Sequence, residues 1–182
     1  MPGSINAANC LTALRLLLTP PIVAAMWTGR HGLALALFML AAATDVLDGA
    51  AARRFQQTTA LGAYLDPIAD KFLLDAMFLA MGGAGMVPWW FVAIVVGRDL
   101  YLLLAAAILV RCTRRRSFPP SVWGKASTFV QIITAIASLA AGMLGHSNLW
   151  IPAAALVWIS AVLTIGSGAE YTWRGIEIAR AH

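Results

Sequence analysis

Charge is scarce in this sequence. Asp, Glu, Lys and Arg make up 12% of its 182 residues, while hydrophobic residues make up 60%. A chain so poor in charge cannot cover a water-facing surface, which excludes an ordinary soluble domain. Cysteine is nearly absent as well. Cys10 and Cys112 are too few for a disulfide scaffold, and they stand at no spacing that would hold zinc. Strict alternation of apolar and polar residues, the mark of a membrane barrel strand, is missing. No basic segment precedes the first apolar run and Arg15 interrupts it, so an uncleaved first helix is expected in place of a removable signal.

What the sequence does have is blocks of apolar residues. They run over Leu11–Trp27, Leu33–Thr44, Phe72–Met81, Trp89–Val110, Phe129–Leu144 and Leu149–Ile165. Backbone polar groups cannot stay unsatisfied in lipid, so these blocks predict helices, the shorter ones extended by flanking polar residues to the ~20 needed for a crossing. The expected fold is all-α and integral to the membrane: a bundle of six transmembrane helices forming one domain over residues 1–182. Cations fix its orientation. Arg53, Arg54 and Lys71 follow the second block; Arg111, Arg114, Arg115, Arg116 and Lys125 follow the fourth; Arg174 and Arg180 lie near the C-terminus, and only Arg30 lies on the opposite side. The positive-inside rule then puts both termini and the basic loops in the cytoplasm, as expected of a bacterial-type inner or cell membrane. Membrane lipids account for the net charge of +5, so no nucleic acid is expected as a partner. Trp27, Trp89, Trp90 and Trp150 read as interfacial anchors. His31, His146 and His182 read as solvated, and Gly82–Gly85 as a turn.

Carboxylates at membrane depth are costly and usually functional. Six Asp residues occur, and four cluster: Asp45 and Asp48 at i and i+3 near the end of the second block, Asp66 and Asp70 at i and i+4 near the start of the third. Each pair falls on one helix face. Pro67 after a capping Asp66 predicts that the third helix starts there. Four facing carboxylates would repel, and bound cations relieve that. An all-oxygen donor set favours Mg²⁺ or Mn²⁺. Gly49, Ala52 and Gly62 leave room for a ligand, and Arg53 can pair with phosphate oxygens, which together suit a diphosphate.

The pattern Asp45-x-x-Asp48-Gly49-x-x-Ala52-Arg53, eight residues, Gly62-x-x-x-Asp66-x-x-x-Asp70 resembles the signature of the CDP-alcohol phosphatidyltransferase family. Asn9-x-Leu11-Thr12-x-x-Arg15-x-x-x-x-Pro20 is similar to the lead-in of its glycerophospholipid branch, and the likeness continues through Lys71, Gly97-Arg98-Asp99 and Gly124-Lys125. The resemblance implies transfer of the phosphatidyl group of CDP-diacylglycerol to an alcohol, with release of CMP and two divalent cations. It implies Asp45, Asp48 and Asp66 as ligands of one cation, Asp70 as ligand of the second and as the base, and Gly49, Ala52, Arg53 and Gly62 as residues that hold the CDP part. The positive-inside topology puts these helix ends, and with them the expected active site, at the cytoplasmic face, and the resemblance further implies a homodimer. Membrane prenyltransferases and small transporters are the rivals, but neither explains Ala52, Arg53 and Gly62.

The acceptor is expected to be glycerol-based, from the likeness of Gly124-Lys125 and Thr128-x-x-Gln131 to that branch. Arg98 and Lys125 are the candidates to hold its phosphate. The apolar stretch Leu102–Val110 after Gly97-Arg98-Asp99 resembles the eukaryotic-type cardiolipin synthases, so phosphatidylglycerol is placed ahead of glycerol-3-phosphate. Asp75 reads either as a partner of Lys71 or as a structural polar residue, Asp99 as either a buried ion-pair partner or a site residue, and Arg114–Arg116 as a topology and headgroup patch.

Overall fold

The computed structural model describes residues 7–55, 60–113, 121–145 and 147–180, with side chains described over 13–44, 71–108, 121–145 and 148–177. The secondary structure of the described residues is six helices: α1 (Ala7–Trp27), α2 (His31–Phe55), α3 (Ala60–Gly83), α4 (Trp89–Thr113), α5 (Val122–Leu144) and α6 (Ser147–Arg180). Three stretches among the described residues are long and apolar enough to cross a membrane, Trp89–Ile108, Val122–Leu144 and Asn148–Glu177. Shorter apolar helices cover Ala13–Trp27 and His31–Thr44. The exposed face of α4 and α6 is built from Leu100, Leu103, Leu104, Ile108, Ile151, Trp158, Ile159, Val162 and Ile165. So much apolar surface turned outward fits lipid as the solvent, and the chain is a membrane protein.

The chain divides into two compact units. The first comprises Met1–Met86 with Gly142–Gly145, the second Val87–Ala141 with His146–His182. In the first, α1 packs against both α2 and α3. Helical periodicity selects the buried residues: Ile22, Ala25 and Met26 on α1, Ala34, Phe38 and Ala41 on α2, and Leu73, Leu74, Met77, Phe78 and Met81 on α3. The ends of α1 and α3 use the same device. Gly29 and Gly85 both take φ +71°, and the residue after each donates five positions back, Arg30 N–H to the Ala25 carbonyl at 2.8 Å and Met86 N–H to the Met81 carbonyl at 2.9 Å. These are Schellman caps, which only glycine closes without strain.

In the second unit α4 packs against α6, with the Trp90 and Trp158 rings 4.6 Å apart between centroids. Helices α5 and α6 share a polar seam. Ser127 Oγ and Thr164 Oγ1 lie 3.1 Å apart, Gln131 Nε2 donates to Thr164 Oγ1 at 3.0 Å, and Thr134 Oγ1 donates to the Leu156 carbonyl at 3.3 Å. All four of these side chains are buried. In lipid the hydrophobic effect does little to draw helices together, so such bonds and close packing set the pairing.

Two boundaries differ from the sequence reading. Helix α3 begins at Ala60, placing Pro67 at its eighth position instead of its first. Proline removes one i→i−4 bond, and the helix formers on both sides carry it across that gap. Helix α6 runs to Arg180, well past the apolar block that ends at Ile165. Its last turns are held by i,i+4 pairs, Glu170 with Arg174 at 2.6 Å and Trp173 with Glu177 at 3.1 Å. His31, read as solvated, is half-buried at the start of α2, its ring close to Gly142; His146 and His182 lie outside the described residues.

Candidate active site

The carboxylate motif rides on α2 and α3. Helical backbone runs through positions 45 to 53 and 62 to 70, the condition under which three- and four-residue spacings share a helix face. The side chains of Asp45, Asp48, Gly49, Ala52, Arg53, Gly62, Asp66 and Asp70 lie outside the described residues. Among the described residues, no group of three or more His, Cys, Asp or Glu side chains is placed to hold a metal. The chemistry of the proposed donor set is nevertheless specific. Four carboxylates without imidazole or thiolate fit hard divalent cations such as Mg²⁺ or Mn²⁺.

Charged residues around the motif are described. Lys71 and Asp75 are half-buried on α3, and Arg15 on α1 is only 4% exposed. All three are engaged with partners, as a charge held inside an apolar unit must be. Sequence reading gave Arg15 a place in the lead-in motif but no role at the site. It is buried in the helix that packs on both motif-bearing helices.

The acceptor candidates Arg98 and Lys125 belong to α4 and α5. Arg98 pairs through Nη1 with Asp99 Oδ1 and donates through Nη2 to Ser167 Oγ on α6. The Arg98 and Asp99 side chains are 7% and 6% exposed, so Asp99 is a buried ion-pair partner of Arg98. The stem of Arg98 crosses α6 at Gly168, where a Cβ would meet its Cγ at 3.6 Å. Lys125 is exposed on the first turn of α5. That turn is capped by Ser121, whose Oγ accepts the Gly124 N–H at 2.9 Å, while the Ser121 N–H donates to Tyr171 Oη on α6 at 2.9 Å. Gly124 lies close against the same contact, since a Cβ there would lie 3.2 Å from both Tyr171 Oη and Cε2. Ser121, Ser167 and Tyr171 were missed from sequence; the serine before an apolar helix was the one available signal, as an N-cap.

Residues 5–166 match the family model described as CDP-alcohol phosphatidyltransferase. The chain is similar to a Mycobacterium tuberculosis protein named "Probable phosphatidylglycerophosphate synthase", with 34% identity over 180 residues, 94% of this chain and 82% of that one. It is similar to the Escherichia coli CDP-diacylglycerol–glycerol-3-phosphate 3-phosphatidyltransferase, with 32% identity over 174 residues, 91% of this chain and 92% of that one. A Drosophila melanogaster protein named "Probable cardiolipin synthase (CMP-forming)" shares 37% identity over 113 residues, 62% of this chain and 34% of that one.

Proposed function

Because the chain belongs to the CDP-alcohol phosphatidyltransferase family, we propose that it transfers the phosphatidyl group of CDP-diacylglycerol to a glycerol-based acceptor, using the carboxylates of α2 and α3. The carrying observation is the complete motif from Asp45 to Asp70 on two helices of one compact unit. Asp45, Asp48, Asp66 and Asp70 hold two divalent cations, Mg²⁺ or Mn²⁺, and Gly49, Ala52, Arg53 and Gly62 hold the cytidine diphosphate. The cations, when bound, neutralise the diphosphate and make its phosphorus open to attack. Asp70 accepts the proton of the acceptor hydroxyl, and the hydroxyl oxygen bonds to the phosphorus that carries diacylglycerol. The bond from that phosphorus to the bridging oxygen breaks, and CMP leaves with that oxygen.

Arg98 and Lys125 hold the acceptor's phosphate. The pairing of Arg98 with Asp99 offsets its charge, which suits the single charge of a phosphodiester better than the dianion of a phosphomonoester. The exposed apolar face of Leu100, Leu103, Leu104 and Ile108 suits acyl chains. Both favour phosphatidylglycerol, and hence a cardiolipin synthase. The second reading is glycerol-3-phosphate, favoured by the M. tuberculosis and E. coli relatives, which match nearly the whole of this chain. Purified protein supplied with CDP-diacylglycerol and each acceptor in turn, with the product lipid identified by mass, decides between them. Phosphatidylglycerophosphate from glycerol-3-phosphate, with no cardiolipin from phosphatidylglycerol, refutes the first reading.

All six helices have at least 21 residues, about the length a crossing requires. That supports six spans, and the Lys and Arg distribution supports cytoplasmic termini with the active site on that face. The family match over residues 5–166 includes parts of both units, which supports treating 1–182 as one catalytic domain.

A further inference from the structure

The least expected group in the second unit is the Arg98 guanidinium. It is 93% buried by side-chain surface, yet its environment satisfies it unevenly. Nη1 has Asp99 and Nη2 has Ser167, while Nε is shielded from solvent and has no hydrogen-bond partner. A donor left unmatched at membrane depth is costly, and a native structure that keeps one implies a use for it. Cβ atoms built on Gly97, next to Arg98, and on Gly166, next to Ser167, would meet nothing within 4 Å, and Gly168 beneath the stem adds no side chain.

We propose that Asp99 and Ser167 are positioning residues which grip the two terminal nitrogens of Arg98 and so aim its Nε–H at an oxygen of the acceptor phosphate. This rests on the reading of Arg98 given above. A guanidinium is a rigid planar fork, so fixing both ends of the fork fixes the direction of Nε–H. Asp99 sits at the neighbouring position of α4, where helix geometry points side chains apart, and cannot set that plane by itself. Ser167 comes from a different helix and supplies the second point of attachment. Its own place is secured: it is 0% exposed and lies one turn from Thr164, which Gln131 and Ser127 of α5 hold in the polar seam.

The test is steady-state kinetics of the full-length protein in mixed micelles of CDP-diacylglycerol, with phosphatidylglycerol in one arm and glycerol-3-phosphate in the other. In whichever arm turns over, Ser167→Ala raises the acceptor KM about tenfold, as loss of one orienting bond to a charged group predicts. The KM for CDP-diacylglycerol, kcat and the unfolding temperature stay near wild type, and Ser167→Thr, which keeps the hydroxyl, restores the acceptor KM. An unmoved acceptor KM in Ser167→Ala overturns the inference; so does a parallel rise in both KM values, which would mark a merely structural role, and so does failure of Ser167→Thr to rescue. The double variant Arg98→Ala/Asp99→Ala removes the pair without stranding a charge. If it leaves the acceptor KM unchanged, the assignment of Arg98 itself is wrong. If it raises that KM while Ser167→Ala does not, only the positioning role falls.

Discussion

Placing a side chain at Gly124 tests how the start of α5 is built. A Cβ there would stand 3.2 Å from Tyr171 Oη and Cε2 and 3.3 Å from Ser121 Oγ, closer than the ~3.5–4.0 Å of comfortable carbon contact. In Gly124→Ala the Tyr171 ring withdraws by a few tenths of an ångström. That strain of about 1 kcal/mol is offset by the ~1 kcal/mol gained on replacing a helical glycine, so the variant is nearly neutral in stability. Gly124→Val brings two further carbons, costing about 1–3 kcal/mol in overpacking. It also breaks the 2.9 Å bond from the Ser121 N–H to Tyr171, worth about 1 kcal/mol. A net loss of about 2–4 kcal/mol follows. Because the Ser121 cap sets the first turn of α5, the acceptor KM rises along with it. Thermal unfolding in detergent, followed by tryptophan fluorescence, and acceptor kinetics measure the two effects. The decisive comparison is Gly124→Val in a Tyr171→Ala background, where the second substitution removes the obstacle and the valine costs much less. Strictly additive losses would refute the proposed contact.

Three further outcomes are expected. Chelation with EDTA abolishes CMP release and added Mg²⁺ or Mn²⁺ restores it; full turnover of metal-free protein would eliminate the carboxylate–cation assignment. Asp70→Asn lowers turnover by about 10²–10⁴ with donor binding less affected, whereas Asp45→Asn and Asp48→Asn weaken both, as single-turnover and binding assays would distinguish. The protein works as a homodimer, supported by the family resemblance and the Gly and Ala content of α3 to α5; full activity of a species that crosslinking and mass measurement identify as monomer would exclude this.

Helix positions were legible because lipid leaves so few options: each apolar block became a helix, and the turn read over Gly82–Gly85 contains Gly85, where the chain reverses. The starts and ends were less legible. Asp66-Pro67 reads as a helix start by local propensity, yet α3 is already two turns long at that point. The last turns of α6 carry Glu170, Tyr171, Arg174 and Glu177, and hydropathy has no term for the i,i+4 pairs that keep such a segment helical. The carboxylate motif was legible because its residue types and spacing are chemically demanding. Ser167 and Tyr171 were not, since each is one polar residue whose meaning comes from a helix about 50 or more positions away in sequence. The Arg98–Asp99 pair is a similar case. The sequence raised an ion pair as one of two readings, and because adjacent residues diverge around a helix, the folded course of the arginine stem is what shows that they meet.

The polar seam between α5 and α6 bears on how the chain is made. While α5 stands in the bilayer without α6, the Gln131 amide lacks the Thr164 acceptor of the finished fold, whereas the Thr134 hydroxyl already donates to the Val130 carbonyl of its own helix. That gap closes only when α6 has been inserted beside it. A chain that lost α6 would therefore leave α5 in lipid with an unmet amide, a feature by which membrane quality control can tell a defective chain from a finished one.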